Sequence, residues 1–528
     1  MELTFQVTRR TGSAYVHPDY PGLVQILTRR IAVGAAVALT TAALGACSAG
    51  SSGGGTGEAR TDVVVGLTGE PTNLDFTRTS GSAIPQLLMN NVYEGLVTID
   101  QAGEVQPQLA ESWEINGDRT VYTFTLHDGV TFSDGSLFTA DDVVASIGRV
   151  QDDWTLSLKS KMDVVAKAEA ISDTEVAVTL KHPSNSWLFD MGTSVGAMFP
   201  DDLSADLATE AVGTGPYTVE EVATGEHVTL AARDDYWGKV PAISEVTVRY
   251  FADANAQANA VRAGDIDMAY NMQAPDLLSG LEQDEDLQVV DGTSTGEVLL
   301  ALNNAEPPFD DLRVRQAVMH AIDREAVLST AWAGHGQLIG SMVPPTDPYY
   351  QDLTDAYPYD PDRARELLGE AGAEDLGITF DVPTRPYAEA VAQVVVSQLE
   401  DVGIDARIVP AEFPAVWLDK VFTKHDYQMS VILHTEARDM LTIFGDPDYY
   451  IGYDNPRVSE VAEEADQGSP DQYVAGMQEV ARMIVDDAAS APLFLFPNTV
   501  VADAGLNGIA TNATTESMDL TGLTWSAS

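Results

Sequence analysis

The chain has 528 residues, a single cysteine, and 28 Lys+Arg against 81 Asp+Glu, for a formal net charge of −53 at pH 7. So negative a surface repels phosphate backbones and anionic lipid, which excludes nucleic-acid binding and lying flat on a membrane; it serves solvation and is compatible with attracting cationic solutes. One cysteine excludes an internal disulfide, so stability must come from burial, and the length admits two or three domains of about 100–200 residues each.

In chain order, Arg29 and Arg30 precede an apolar run from Ile31 to Ala46, and small residues lead into Cys47. A charged n-region, a hydrophobic stretch and a small-residue cut site read as a secretory signal, and the run is too short to span a bilayer comfortably. Leu44, Gly45, Ala46 and Cys47 resemble the lipobox of bacterial lipoproteins, which implies cleavage before Cys47 and acylation of its thiol. The Gly/Ser-rich stretch Ser48 to Gly57 then reads as a flexible tether. Residues 1 to 27 carry Pro18 and Pro21 without periodicity and leave the start of the leader open, and Thr28-Arg29-Arg30 also permits twin-arginine export.

From Thr61 to about Thr295, short alternating stretches separated by turn signals favour strands. "TVYTFTL", from Thr120, alternates between Asn116-Gly117 and Asp128-Gly129 and predicts a hairpin-like meander. A helix capped by Thr139 follows, with Val143, Val144 and Ile147 on one face. From about Leu299 the pattern changes. Asp311 to Trp332 predicts one long helix through Val314, Ala317, Val318, Ala321 and Ile322, and Asp360-Pro361 opens another that ends near Gly372. "ITFDV" from Ile378, a helix from about Tyr387 to Val402 stopped by Gly403, and "IDARIV" from Ile404 form a strand, helix and strand, hence a right-handed crossover in an α/β domain. The tail from Pro492 returns to short apolar stretches and is expected to rejoin the first lobe, so that two crossings form a hinge around a cleft.

Several stretches resemble the extracellular solute-binding protein family 5, the peptide/nickel group of ABC-transporter receptors. They are "LAESWEINGDRTVYTFTLHDGVTFSDGSLFTADDVVASI" from Leu109, "GTGPYTVEEVATGEHVTLAARDDYWG" from Gly213, "AVRAGDIDMAY" from Ala260 and "PFDDLRVRQAVMHAIDREAV" from Pro308. The resemblance implies a two-lobed, periplasmic-binding-protein-like α/β fold of type II with an extra small domain in the first lobe. The expected division is a signal peptide over 1–46, a lipidated tether over 47–60, lobe I over 61–298 with the small domain at about 107–212, lobe II over 299–491, and a return to lobe I over 492–528. It also implies a cofactor-free monomer, anchored by lipid to the outer face of the cell membrane, that passes ligand to an ABC permease and its ATPase.

Ligands of parallel α/β sheets gather past the carboxyl ends of strands. "YQMSVIL" ends at Leu433, which places His434, Glu436, Arg438 and Asp439 in the loop beyond; Arg385 occupies the matching place after "ITFDV". Peptide-binding members of the family place an Asp in this loop to hold a ligand α-amine, together with a Trp that this chain lacks, so Asp439 or Glu436 must stand in; a pairing of Glu436 with Arg438 is the alternative use of these charges. Glu70 and Pro71, in the loop after "VVVGLT", Asn303, read as marking a lobe crossing, and Tyr453, read with Tyr449 and Tyr450 as a flat wall, complete the candidate ligand-binding set.

Enzyme signatures are missing. His434-Thr435-Glu436 has the H-x-E spacing of zinc deaminases without their paired cysteines, and eight scattered histidines form no HExxH, so a metal site built by the protein is not expected. Gly213-Thr214-Gly215-Pro216 runs into a strand pattern rather than the helix that would hold phosphate, and no Gly-x-Ser-x-Gly elbow precedes a helix. The expected function is capture of short peptides or another amine-bearing solute; a metal chelate, opine or oligosaccharide is the second reading, and a surface enzyme or adhesion module the third.

Overall fold

A computed structural model describes residues 60–526; the expected leader, the expected acylation site at Cys47 and the expected tether lie outside the described residues. The first strand, Asp62–Leu67, buries Val63, Val65 and Leu67 in alternation, which sets the face of a seven-stranded sheet. Across that sheet the order is 287–292, 498–503, 268–269, 62–67, 245–250, 227–232 and 217–223. Asp62–Leu67 runs parallel to both neighbours.

A four-stranded antiparallel sheet follows the first strand in sequence. In it Val121–Leu126 pairs with Ala110–Ile115 across the turn at Asn116 and with Glu175–Leu180, which in turn pairs with Val165–Ser172. The helix Ala140–Asp152 begins where the Asp142 carboxylate accepts the Thr139 N–H at 2.6 Å. Phe124, Val143 and Trp187 of this region share one continuous core with Val65 and Val248 of the seven-stranded sheet, so the two sheets form one lobe.

The second lobe holds a six-stranded sheet in the order 337–338, 490–495, 297–302, 429–434, 376–383 and 404–411. Leu376–Pro383 and Ile404–Ala411 are parallel, joined by the helix Pro386–Asp401, which buries Tyr387, Ala388, Val391, Ala392, Val395 and Leu399 along one stripe. Gly403, at φ 95°, turns the chain into the next strand. The helix Pro361–Ala371 starts with the Asp360 carboxylate accepting the Arg363 N–H and stops at Gly372, φ 69°.

Two expectations are corrected. The long helix over 311–332 is two, Leu312–Ala321 and Arg324–Ala331, because Asp323 takes an extended conformation and its side chain caps the second at the Ala326 N–H. The second crossing lies beyond Leu495 rather than at Pro492: the fully buried strand Ser490–Leu495 is held in the second sheet between 297–302 and 337–338. The tail then enters the first sheet as Asn498–Asp503. No helix of the described residues is long and apolar enough to cross a membrane.

Candidate functional site

Met429–His434 lies inside the second sheet, where Met429 and Val431 enter one core and Ile432 the other. Alternation therefore puts His434 on the face of Ile432, and register sets Glu297 of the neighbouring strand directly opposite His434 on that same face. Past His434 the chain turns, with Arg438 at φ 56°, into the short helix Met440–Phe444.

This turn touches the first lobe. Ala437 is buried against Ile99 and Phe189, and the Arg438 guanidinium lies 3.5 Å from the Phe189 ring centroid. Arg438 also pairs with Asp347 at 3.3 Å and not with Glu436, the alternative use of these charges. Between the lobes is a cavity of about 490 Å³ of empty space, including its open mouth, lined by Asn90, Lys161, Thr193 and Glu516 on one side and Glu436 and Ala437 on the other.

Behind Glu436 lies a buried polar cluster. His434 is 8 % exposed; its Nε2 is 2.9 Å from the Tyr450 hydroxyl and its Nδ1 3.6 Å from Asp439 Oδ2. Asp439 is 4 % exposed, and neither carboxylate oxygen has a hydrogen-bond partner; Glu297, 1 % exposed, leaves Oε2 in the same condition. Burial, then the Glu436 charge, pushes Asp439 well above the carboxylate range. Burial, then Asp439 and Asp347, does the same to Glu297. Burial holds His434 down at about 4, a neutral imidazole. In the cavity wall, burial and the Glu436 charge raise Glu516 to about 7. Burial alone would lower Lys161, but Asp190 at 2.9 Å, with Glu516 and Glu436 beyond it, holds its ammonium above the ordinary value. One ligand atom from each of His434, Glu436 and Asp439 lies within 4.8 Å of the others, a metal-compatible arrangement that the absence of a linear motif did not lead one to expect.

The structure thus gathers His434, Glu436, Arg438 and Asp439 and leaves the other candidates apart. Glu70 is exposed and accepts the Gly225 N–H at 2.6 Å, with Pro71 half-buried beside it; neither lines the cavity. Arg385 is exposed over Phe413, 4.8 Å from its ring centroid. Asn303 sits at the far end of Glu297's strand, where its amide donates to the His425 and Tyr427 carbonyls; the crossing is at the near end, between Gly292 and Glu297. Tyr453 is buried, its hydroxyl donating to Asp487 at 2.7 Å.

Sequence reasoning missed Glu297, Lys161 and Glu516. Glu297 had a signal, an acid heading the otherwise apolar strand "EVLLAL"; Lys161 and Glu516 come from distant segments whose local patterns give none.

Residues 104–453 match the family described as "Bacterial extracellular solute-binding proteins, family 5 Middle". The glutathione-binding protein GsiB of Salmonella paratyphi A is 31% identical over 355 residues, covering 66% of this chain and 69% of that one. The fold is similar to that of the periplasmic binding protein DppA from Helicobacter pylori in complex with peptide STSA, with a TM-score of 0.79 at 22% identity over 88% of this chain and 98% of that one. A dipeptide-binding protein from Pseudoalteromonas sp. SM9913 in complex with Met-Leu gives a TM-score of 0.78 at 22% identity, over 88% and 100% of the two chains.

Proposed function

The chain belongs to the family 5 bacterial extracellular solute-binding proteins, and from that membership we propose that it is the receptor of an ABC importer for short peptides or another amine-bearing solute. The observation that carries the amine is the charge of the cleft. Glu436 and Glu516 face the interlobe cavity from opposite walls, Asp439 lies buried without a partner behind them, and Lys161 is the one ammonium among the lining residues. A zwitterion fits this pattern, its ammonium between Glu436 and Glu516 and its carboxylate toward Lys161. Relatives and fold neighbours named for glutathione and peptides support the cargo class.

In this reading Cys47 carries the lipid, the monomer stands on the outer face of the membrane, and ligand passes unaltered to the permease and its ATPase. Calorimetry with di- to tetrapeptides, free and N-acetylated, tests it. Free peptides should bind, acetylation should abolish the heat, and Asp439→Asn or Glu436→Gln should weaken binding tenfold or more, since each removes a carboxyl group that the ligand ammonium would face in the closed cleft. Native mass spectrometry of protein from its own host, showing a bound solute without an amine, would overturn the cargo.

A further inference from the structure

We propose that a groove where the lobes latch together is a second solute site, for a short organic cation carrying an ammonium group on an aliphatic body, and that its occupancy favours closure. The groove holds about 820 Å³ of empty space, including its open mouth, and shares no lining residue with the interlobe cavity. Ser186 of the first lobe forms one wall; Asp446, Glu463, Asp466, Tyr473 and Met477 of the second lobe face it.

The lining selects the ligand. Glu463 and Asp466, three residues apart on the helix Pro456–Gln467, share a face, and Asp446 reaches the rim from the turn after Met440–Phe444. Each carboxylate commits one oxygen to the protein: Asp446 Oδ1 accepts the Asp448 N–H at 2.9 Å, Glu463 Oε1 the Gln467 amide at 3.2 Å, and Asp466 Oδ1 the Asn185 and Ser186 N–H groups at 3.0 and 2.9 Å. The other oxygen of each has no donor among the described residues, and no basic side chain lines the groove. The floor adds an unpartnered hydroxyl. Tyr473 is 7 % exposed, and its hydroxyl makes no hydrogen bond with any described residue; protein does not seal it in either, so it opens into the groove that the residue lines. Met477 and Leu441 supply apolar surface beside it. Carboxylates around an aromatic and thioether floor suit an ammonium on a methylene chain, whereas Ca²⁺ takes about six to eight oxygen ligands.

Two chain segments join this groove to the interlobe cavity. Ser186 lines the groove and Gly192 the cavity; Leu441 lines the groove and Ala437 the cavity. The stretches between them, 187–191 and 438–440, form a shared partition and meet where Arg438 covers Phe189. Both spaces take walls from both lobes, so closure completes both, and each ligand then raises the affinity for the other by the same factor. The groove site stands on its own residues; its effect on peptide affinity rests on the receptor reading above.

The test titrates the full chain calorimetrically with the aliphatic diamine cadaverine, in low-salt buffer and without peptide, beside pentanol and glutarate as uncharged and anionic controls. One equivalent of cadaverine should bind and neither control should. Glu463→Gln, at an exposed position, should weaken cadaverine binding about fivefold or more without lowering the unfolding temperature. Tyr473→Phe, which keeps the ring, should weaken it about threefold or more. Glu436→Gln, in the interlobe cavity, should leave it unchanged. Saturating cadaverine should tighten peptide binding about fivefold, and saturating peptide should tighten cadaverine binding equally. No heat with cadaverine, equal binding by the Glu463 and Tyr473 variants, loss of binding in Glu436→Gln, or displacement of cadaverine by peptide overturns the groove site and leaves the receptor reading standing. Cadaverine binding without any peptide binding overturns the peptide cargo and leaves the groove site standing. Equal peptide affinities with and without cadaverine overturn the coupling.

Discussion

Glu94 is 1 % exposed, and its carboxylate accepts the Tyr236 hydroxyl at 2.7 Å and the Trp237 indole N–H at 2.9 Å. Those two aromatics belong to the "DDYWG" stretch, which stands out in the sequence but whose acidic partner, some 140 residues upstream, does not. Burial outweighs the two donors and pushes Glu94 up to about 7. Since its folded value exceeds its unfolded value, the stability Glu94 contributes is complete below about 4.5 and is lost as pH rises through about 7, a change on the order of 3 kcal/mol. The unfolding temperature should therefore fall between pH 5 and pH 8.5. Glu94→Gln should flatten that fall, at the cost of a lower starting value because the amide NH₂ that replaces one carboxyl oxygen cannot accept a hydrogen bond from Tyr236 or Trp237. Differential scanning calorimetry across the range checks both, and an unchanged slope in the variant would place Glu94 elsewhere in the titration.

At the scale of elements, Gly213-Thr214-Gly215-Pro216 shows what a glycine pair can be for when it holds no phosphate. A β-carbon at Gly213 would lie 1.9 Å from the Val92 carbonyl oxygen, and one at Gly215 2.6 Å from that of Asn91. The segment rests on the 91–92 backbone through Gly215 N–H to Val92 and Tyr217 N–H to Asn91, both at 2.9 Å. The buried Arg233 guanidinium clasps the Gly213 carbonyl, together with those of Thr131 and Phe132. Gly213→Ala should cost about 2–3 kcal/mol by overpacking. Gly148→Ala, inside the helix Ala140–Asp152 with no atom within 4 Å of the new carbon, should instead stabilise by about 0.5–1 kcal/mol. Paired thermal melts decide. The contrast explains which parts of the fold were legible. The helix Pro361–Ala371 and the crossover over 376–411 are specified by their own caps, stripes and stop glycines, so they can be read locally. The sheet that Ser490–Leu495 joins depends on a partner strand about 190 residues earlier, and a buried apolar strand carries no label for it. The candidate site divides the same way: the loop past Leu433 follows from strand polarity, whereas Lys161 and Glu516 enter only because the lobes meet.

For the whole molecule, the meeting of the lobes is itself a set of nameable contacts. The loop before Trp187 docks on the end of the helix Pro456–Gln467. Asn185 and Ser186 N–H donate to Asp466 Oδ1 at 3.0 and 2.9 Å, the Asn185 amide donates to the Asp466 and Gly468 carbonyls at 2.7 and 2.9 Å, and Arg119 reaches the Gly468 carbonyl as well. These bonds hold together two halves of a chain whose net charge is −53, so closure works against self-repulsion and small losses in the latch should be felt. Asp466→Ala deletes the carboxylate acceptor while leaving every cavity-lining residue in place, and two hydrogen bonds to an ionised group are worth about 1.5–3 kcal/mol each at most. If the closed form is the binding-competent one, its reduced population lowers apparent affinity in proportion. Peptide binding should weaken ten- to a hundredfold, chiefly through faster dissociation, and small-angle scattering of the ligand-free variant should give a larger radius of gyration than the parent, the difference vanishing at saturating ligand. Equal radii with equal affinities would mean that Asp466 braces the small domain without governing closure, and control of the hinge would then fall to the remaining lobe contacts, the Arg438–Phe189 contact and the bonds of Asn185 and Arg119 to the Gly468 carbonyl among them.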